Sequence, residues 1–465
     1  MRLQIRNIGA IEQADISIDG ITIIAGENNV GKSTIGKTLY AFLHDMSSWQ
    51  KTYDEICCSK VEKYLYQHSI SLEDFCMKES GARRRRTSKA ELLQGKYAYD
   101  ENFIVAIEDY QVSEDEKSRH DIEVYLEAYC KDYISLYIKY DVNGFCDTHC
   151  SWIKHWISDA MSGILFIELD ELELQAQQVK QAFGEIFNYQ YRRVATQSSE
   201  VKWCDDNNRA VTFLIQEGKE VLSQPIRLSN RIFLIESPKI YDYLSDTRYG
   251  YVQKEYLRYL MSPNVFKRGN NYVKIERESY VDVQDNYNEV LRNIVGKMES
   301  VMGGRAEFFQ KVGLEFKDEY IPEPIHAPNV STGLKSMALL EYALRIGAIE
   351  AGDIVILDKP EINLHPEWQV EYARTLVNLQ KEFRLKIVIT THSPYFMRAI
   401  ECFSDMAEVM DQLNVYRMTR ERKDNTTQIE NVSYAEYGMT DLYDELSAPL
   451  DGLEELLEKK YGKAD

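Results

Sequence analysis

The chain has 465 residues, 44% of them hydrophobic and 28% charged, with a formal net charge of −20. Such a length fits two or three compact units, or one catalytic domain carrying a large insertion, with ample chain to bury a core. The acidic balance excludes wholesale coating of nucleic acid and leaves only local basic patches for phosphate contact. No apolar run reaches the roughly 18 residues that span a bilayer, and Met1-Arg2-Leu3 runs straight into a strand pattern without a signal peptide. A cytoplasmic protein with no membrane partner is expected. Eight cysteines, scattered without disulfide-framework spacing, fit a reducing compartment.

Leu3, Ile5 and Ile8, then Ile11, Ala14, Ile16 and Ile18, suggest two strands opening a sheet. Gly20 breaks the chain, and residues 21–25 form a β-branched run of the buried-strand kind. The next residues, Gly26, Glu27, Asn28, Asn29, Val30, Gly31, Lys32 and Ser33, fit G-x-x-x-x-G-K-[ST]. A helix carrying Ile35, Leu39, Tyr40 and Leu43 on one side should follow. Glycines at both ends let the backbone wrap a phosphate chain, consecutive N–H groups form an anion nest, and the helix N-terminus adds its positive dipole end. Lys32 would neutralise the β- and γ-phosphates and the Ser33 hydroxyl would hold Mg²⁺. Thr34 joins the binding set without being the metal ligand.

Residues 46–319 differ in character: they are rich in Tyr, Glu, Lys and Gln, with apolar residues at helical spacing, as in the stretches 122–137 and 171–191. An inserted, mainly helical lobe is the expectation. No strict heptad persists, so no extended coiled-coil arm is expected, and the Met and Tyr stripes read as packing. Arg83, Arg84, Arg85 and Arg86 form the one basic run; a solvated loop is favoured over a nucleic-acid contact. Cys146, His149, Cys150 and His155 have ligand types that suit zinc, but their spacing matches no zinc motif, which favours ordinary packing.

From about residue 330 the α/β character returns, with helices near 334–346 and 367–383 and strands at 354–357, 386–390 and 414–418. Asp358 emerges at the C-terminal end of a strand, where a carboxylate would serve the same metal ion. Ser331-Thr332-Gly333 opens a helix with small residues, making a second phosphate-binding N-terminus. Thr390-Thr391-His392-Ser393-Pro394 places His392 at the sheet edge near this chemistry, although a structural histidine at a turn stays open.

The set of residues 26–33, 331–336, 358–366 and 390–394 resembles the ABC-type ATPases of the OLD (overcoming lysogenization defect) group, over about the first 45 residues and about 320–420. The resemblance implies an α/β ABC-type P-loop ATPase head assembled from residues 1–45 and 320–465 around the lobe 46–319. It implies ATP and Mg²⁺ as ligands, with Gly26, Asn28, Asn29, Gly31, Lys32, Ser33, Thr34, Ser331 and Gly333 holding nucleotide and Ser33 and Asp358 holding the metal. It also implies a head-to-tail homodimer or higher oligomer in which Ser331 and Gly333 reach the γ-phosphate held by the other copy's Lys32. Asn363, Leu364, His365 and Pro366 would form the dimer seam, and His392 would be the switch histidine. The glutamine loop of this class is not placed.

Two departures shape the expected activity. The family usually has Glu after the strand-end Asp; here Lys359 follows Asp358, with Glu361 as a substitute acceptor beside Lys32 and His392 in the catalytic set. Slow or absent hydrolysis is expected, because a protonated Lys accepts no hydrogen bond. Too few residues follow position 418 for a TOPRIM nuclease, no HNH pattern occurs, and Asp441, Asp444 and Glu445 read as a solvated helix face. With no nuclease site of its own, the chain resembles stand-alone ATPase subunits of bacterial antiphage systems. Septu, with an HNH nuclease partner, is the first choice and PARIS, with a TOPRIM effector, the second. Nucleic acid would then be reached through the effector or the arginine run. The alternative is a DNA-repair or chromosome-maintenance ATPase of SMC or RecF type that clamps DNA. A third reading is an anticodon-nuclease fusion, for which His120, His149 and His155 are the candidates.

Overall fold

The computed structural model describes residues 1–465 except 81–87, 139, 168, 194–195, 217–218, 237–264, 269–270, 275–286, 310–312, 422–425, 434–437 and 462–465. It divides into two compact units, one of residues 1–47 with 175–465 and one of residues 48–174.

The first unit begins as the alternation requires. β1 (Arg2–Ile8) and β2 (Ile11–Ser17) pair antiparallel, with Leu3, Ile5, Ala14 and Ile16 turned inward. β3 (Ile21–Ala25) is buried on both faces and joins a different sheet. After the second unit, β4 (Ser198–Cys204), β5 (Ala210–Gln216) and β6 (Lys219–Leu222) extend the antiparallel sheet to the order β2-β1-β4-β5-β6. β7 (Ile232–Ile235) crosses to the sheet of β3. A hairpin of β8 (Val265–Arg268) and β9 (Asn271–Lys274) and a small sheet of β10 (Gly304–Phe309), β11 (Gly313–Asp318) and β12 (Ile325–His326) follow.

The central sheet is completed by β13 (Ile354–Asp358), β14 (Lys386–Thr391), β15 (Leu413–Glu421) and β16 (Thr426–Asn431), in the order β16-β15-β3-β14-β13-β7. Its pairings are parallel except that of β15 with β16. Parallel strands need crossover helices on the sheet faces, and so β3, β13 and β14 are built around Ile, Val and Leu. Ile23, Val355, Leu357, Ile387 and Ile389 share one buried cluster with Met337, Leu340, Leu376 and Ile400 of three such helices. Each fully buried side chain of this kind is worth about 1.5–3 kcal/mol. The register sets Asp358 beside Thr390, and Thr391 beside Ala25. Three strand ends therefore meet at one edge, where ligands of such sheets bind.

The second unit is helical: Trp49–Ser80, Ser88–Ala98, Glu101–Ser113, Glu116–Ser135, Val142–Thr148 and Cys150–Ile164. Its own core joins Leu65, Phe103, Ile107, Leu126, Tyr129 and Trp156, so the tyrosines here do pack. Asp100 and Asp115 cap their helices by accepting backbone N–H groups, at about 1 kcal/mol each. No described helix is long and apolar enough to cross a membrane.

The helical unit of residues 48–174 is shorter than the expected lobe of 46–319, and residues 175–319 group with the first unit. The reason lies in β4 and β5, where Ser199, Val201 and Trp203, then Val211, Phe213 and Ile215, are buried at every second position. That is the period of a half-buried strand.

Candidate nucleotide-binding site

Leaving β3, the chain must turn sharply onto the helix Lys32–Leu43. Gly26 and Gly31 take φ of 148° and 98°, and a Cβ on Gly26 would strike the carbonyl oxygen of Met418 on β15, so glycine is required there. Asn29 also has positive φ, which its short polar side chain tolerates. Gly31 caps the helix without a side-chain bond, and its first turn carries no acidic residue. The positive end of the helix is therefore left free for an anion.

Lys32 is only 3% exposed, and its Nζ donates to the carbonyls of Gly26 at 2.8 Å and Glu27 at 2.5 Å. Burial, then the like charge of Lys359, push its ammonium down to about 8, while Asp358, Glu361 and Glu27 pull the other way. Those five charges share one neighbourhood. Glu27, Asn28 and Asn29 are exposed along the loop, and the Arg420 guanidinium of β15 donates to the Asn29 carbonyl at 3.3 Å. Thr34 packs its methyl near Gly9, in the turn between β1 and β2.

Asp358 ends β13 and accepts on one oxygen from two hydroxyls, Ser33 Oγ at 2.8 Å and Thr390 Oγ1. The Ser33 hydroxyl and the Asp358 carboxylate make an oxygen-only pair, the donor chemistry that suits Mg²⁺. Lys359 then takes a left-handed conformation with φ of 54°. Its backbone is held on both sides: its N–H donates to the Thr390 carbonyl at 2.9 Å, and its carbonyl accepts from Ile362 N at 3.2 Å. The turn carries Glu361 inward to 4% exposure. Glu361 Oε1 accepts from Thr391 Oγ1 at 2.6 Å and His392 N at 3.2 Å, with His392 Nδ1 at 3.6 Å. Glu361 Oε2 is buried with no hydrogen-bond partner.

The structure thus brings Lys32, Ser33, Asp358, Glu361 and His392 to one sheet edge. Ser331 and Gly333 stand at a different turn, the start of the helix Thr332–Arg345, where Ser331 is exposed and Gly333 buried. A Cβ on Gly333 would collide with the Asn363 carbonyl, so the helix start lies directly on the loop that follows Glu361. His365 caps the helix Pro366–Phe383 through Glu367 N, at 3.4 Å. Gln369 clamps both sides of this region, donating to the Leu364 carbonyl and accepting from Ser393 Oγ.

Sequence reasoning missed Thr390 and Thr391 as individual contacts. Two hydroxyl residues closing an otherwise Ile/Val strand, both fully buried, are the signal that was there. The packing of Met418 against the loop had no such signal. The glutamine loop stays unplaced, although β7, whose Ile235 pairs with Leu357, enters this edge from the middle of the chain. The residues Arg83, Arg84, Arg85 and Arg86 lie outside the described residues. His149 lies edge-on to Phe75 and tilted to Phe145, and His155 faces Asp159 at 3.5 Å. Asp441, Asp444 and Glu445 sit on the helix Gly438–Tyr461.

A mainly parallel sheet, a G-x-x-x-x-G-K-S loop at its edge and an Asp on the second strand over define a P-loop ATPase head of the ABC type. The AAA ATPase domain family (AAA_15) matches residues 1–397, and the chain belongs to it. Nucleotide binding follows from that membership. Among solved structures, the chain is similar to an SmcHead bound to the C-winged helix domain of ScpA, at 10% identity over 93% of this chain and 97% of that one, TM-score 0.41. It is also similar to the SMC head domain from Thermotoga maritima, at 9% identity over 93% and 98%, TM-score 0.34.

Proposed function

We propose that this chain holds ATP as a signal, hydrolyses it slowly or not at all, and serves as the oligomeric ATPase subunit of a bacterial antiphage complex that controls a separate nuclease. The observation that carries the reading is Lys359, standing directly after Asp358, while Glu361 is engaged through one oxygen by Thr391 and His392.

Each residue has a defined task in this reading. The backbone of Gly26, Asn28, Asn29 and Gly31 and the helix end cradle the phosphates, and Thr34 lines the same loop. Lys32 exchanges the Gly26 and Glu27 carbonyls for phosphate oxygens, which are stronger acceptors because they are charged. Ser33 and Asp358 would hold Mg²⁺, which when bound offsets charge between the β- and γ-phosphates. Glu361 orients His392 at the rim. A water attacking the γ-phosphate needs an acceptor for its proton, and the Lys359 ammonium only donates.

The turn at Ser331, uncapped and exposed while Gly333 is buried behind it, supports a second copy closing over the nucleotide. ATP occupancy would then set whether the heads hold together and whether an HNH or TOPRIM partner is restrained. Septu remains the preferred comparison, since a sensor needs binding more than turnover. The test is the native mass of the purified protein with and without Mg-ATP, alone and with a co-expressed nuclease of either type. An ATP-dependent dimer or larger assembly that retains the nuclease is the expected outcome. A monomer indifferent to nucleotide would sink the reading.

A further inference from the structure

We propose that Lys359 is the residue by which this site tells a nucleoside triphosphate from a diphosphate, its ammonium meeting the terminal phosphate. This rests on the reading of residues 26–33 as the nucleotide site.

Lys32 is fixed low in the loop by two carbonyls, the place of the phosphates nearest the helix end. Lys359 directly follows Asp358, whose carboxylate is tied to Ser33, so its backbone stands beside the same metal-ligand pair. Its backbone cannot wander, because N–H and C=O are both bonded and φ is fixed in the left-handed region. A non-glycine residue held there is uncommon, and such conformations gather at functional sites. Its side chain is half-buried and close enough to Lys32 for the two like charges to disfavour one another.

Lys32 and Lys359 share their neighbourhood with Asp358, Glu361 and Glu27, and a metal ion on Ser33 and Asp358 would draw the Asp358 carboxylate away from the two ammonium groups. A γ-phosphate would bring negative charge to this neighbourhood that a diphosphate lacks. Lys359 therefore favours triphosphate over diphosphate. The same side chain that withholds a base from hydrolysis strengthens the hold on the unhydrolysed ligand, and a nucleotide sensor requires both.

The test compares binding alone, by calorimetry, of Mg-ADP and of a hydrolysis-resistant Mg-ATP analogue to the full chain and to Lys359→Met, Lys359→Gln and Lys359→Arg. The triphosphate-to-diphosphate affinity ratio should fall about tenfold or more in the Met and Gln variants and persist in Arg. An unchanged ratio in both neutral variants overturns the proposal. So does equal loss of both nucleotides at an unchanged unfolding temperature, since Lys359 would then serve binding as a whole. Failure of the unaltered chain to bind either nucleotide overturns the underlying reading instead, and the proposal with it.

Discussion

At the scale of single residues, the site is a small set of charges held by hydroxyls. Asp358 takes two hydroxyl donors, Glu361 takes one hydroxyl and one backbone N–H, and Lys32 spans two carbonyls. Lys32→Ala should weaken nucleotide binding by about 10- to 100-fold, the worth of charge-assisted hydrogen bonds to phosphate. The fold should survive, because a buried ammonium costs desolvation that alanine does not. Calorimetry with far-ultraviolet dichroism checks both halves of this. Thr390→Val would leave the Asp358 carboxylate with one hydroxyl fewer, and a loss of about 1–2 kcal/mol is expected in denaturant unfolding.

At the scale of elements, the close approaches decide what may vary. Gly333 lies against the Asn363 carbonyl, so Gly333→Ala must push the helix Thr332–Arg345 off its neighbour. Overpacking of this kind costs about 1–3 kcal/mol, which a fall in melting temperature would register. The same helix buries Glu341 completely against Arg345, at 2.6 Å. Arg345→Met should cost up to about 3 kcal/mol in denaturant unfolding by leaving that buried carboxylate only the Ala306 N–H, with burial already favouring its neutral form.

The strands and helices around the site were legible beforehand. The Asp358 strand, the 26–33 loop and the helices near 334 and 367 each carry one strong local period or motif. The strands β4 and β5 also carried theirs, in Val201, Trp203, Val211 and Phe213, but the surrounding helical composition masked a two-residue period only seven residues long. What local pattern could not give was the third dimension. That Thr390 would face Asp358, or Met418 cover Gly26, depends on strand order, and β3 pairs with strands more than 350 residues away.

At the scale of the whole molecule, the chain is a nucleotide-binding head whose sequence is interrupted by a helical unit. Residues 48–174 have their own apolar core, with Leu126, Tyr129 and Trp156 at its centre. Expressed alone, this segment should be helical and unfold cooperatively; a non-cooperative thermal transition would show that it depends on the head. The head keeps every residue of the candidate site, from Lys32 to His392, within one unit. ATP would therefore bind without the helical unit. The most direct test of the central claim is steady-state phosphate release by the purified chain beside Lys359→Glu, at saturating Mg-ATP. Turnover well below about 1 per second is expected with Lys359 in place, and a rise of at least about tenfold when the carboxylate is introduced. Rapid turnover with Lys359 in place, unchanged or lowered by Glu, would contradict the claim.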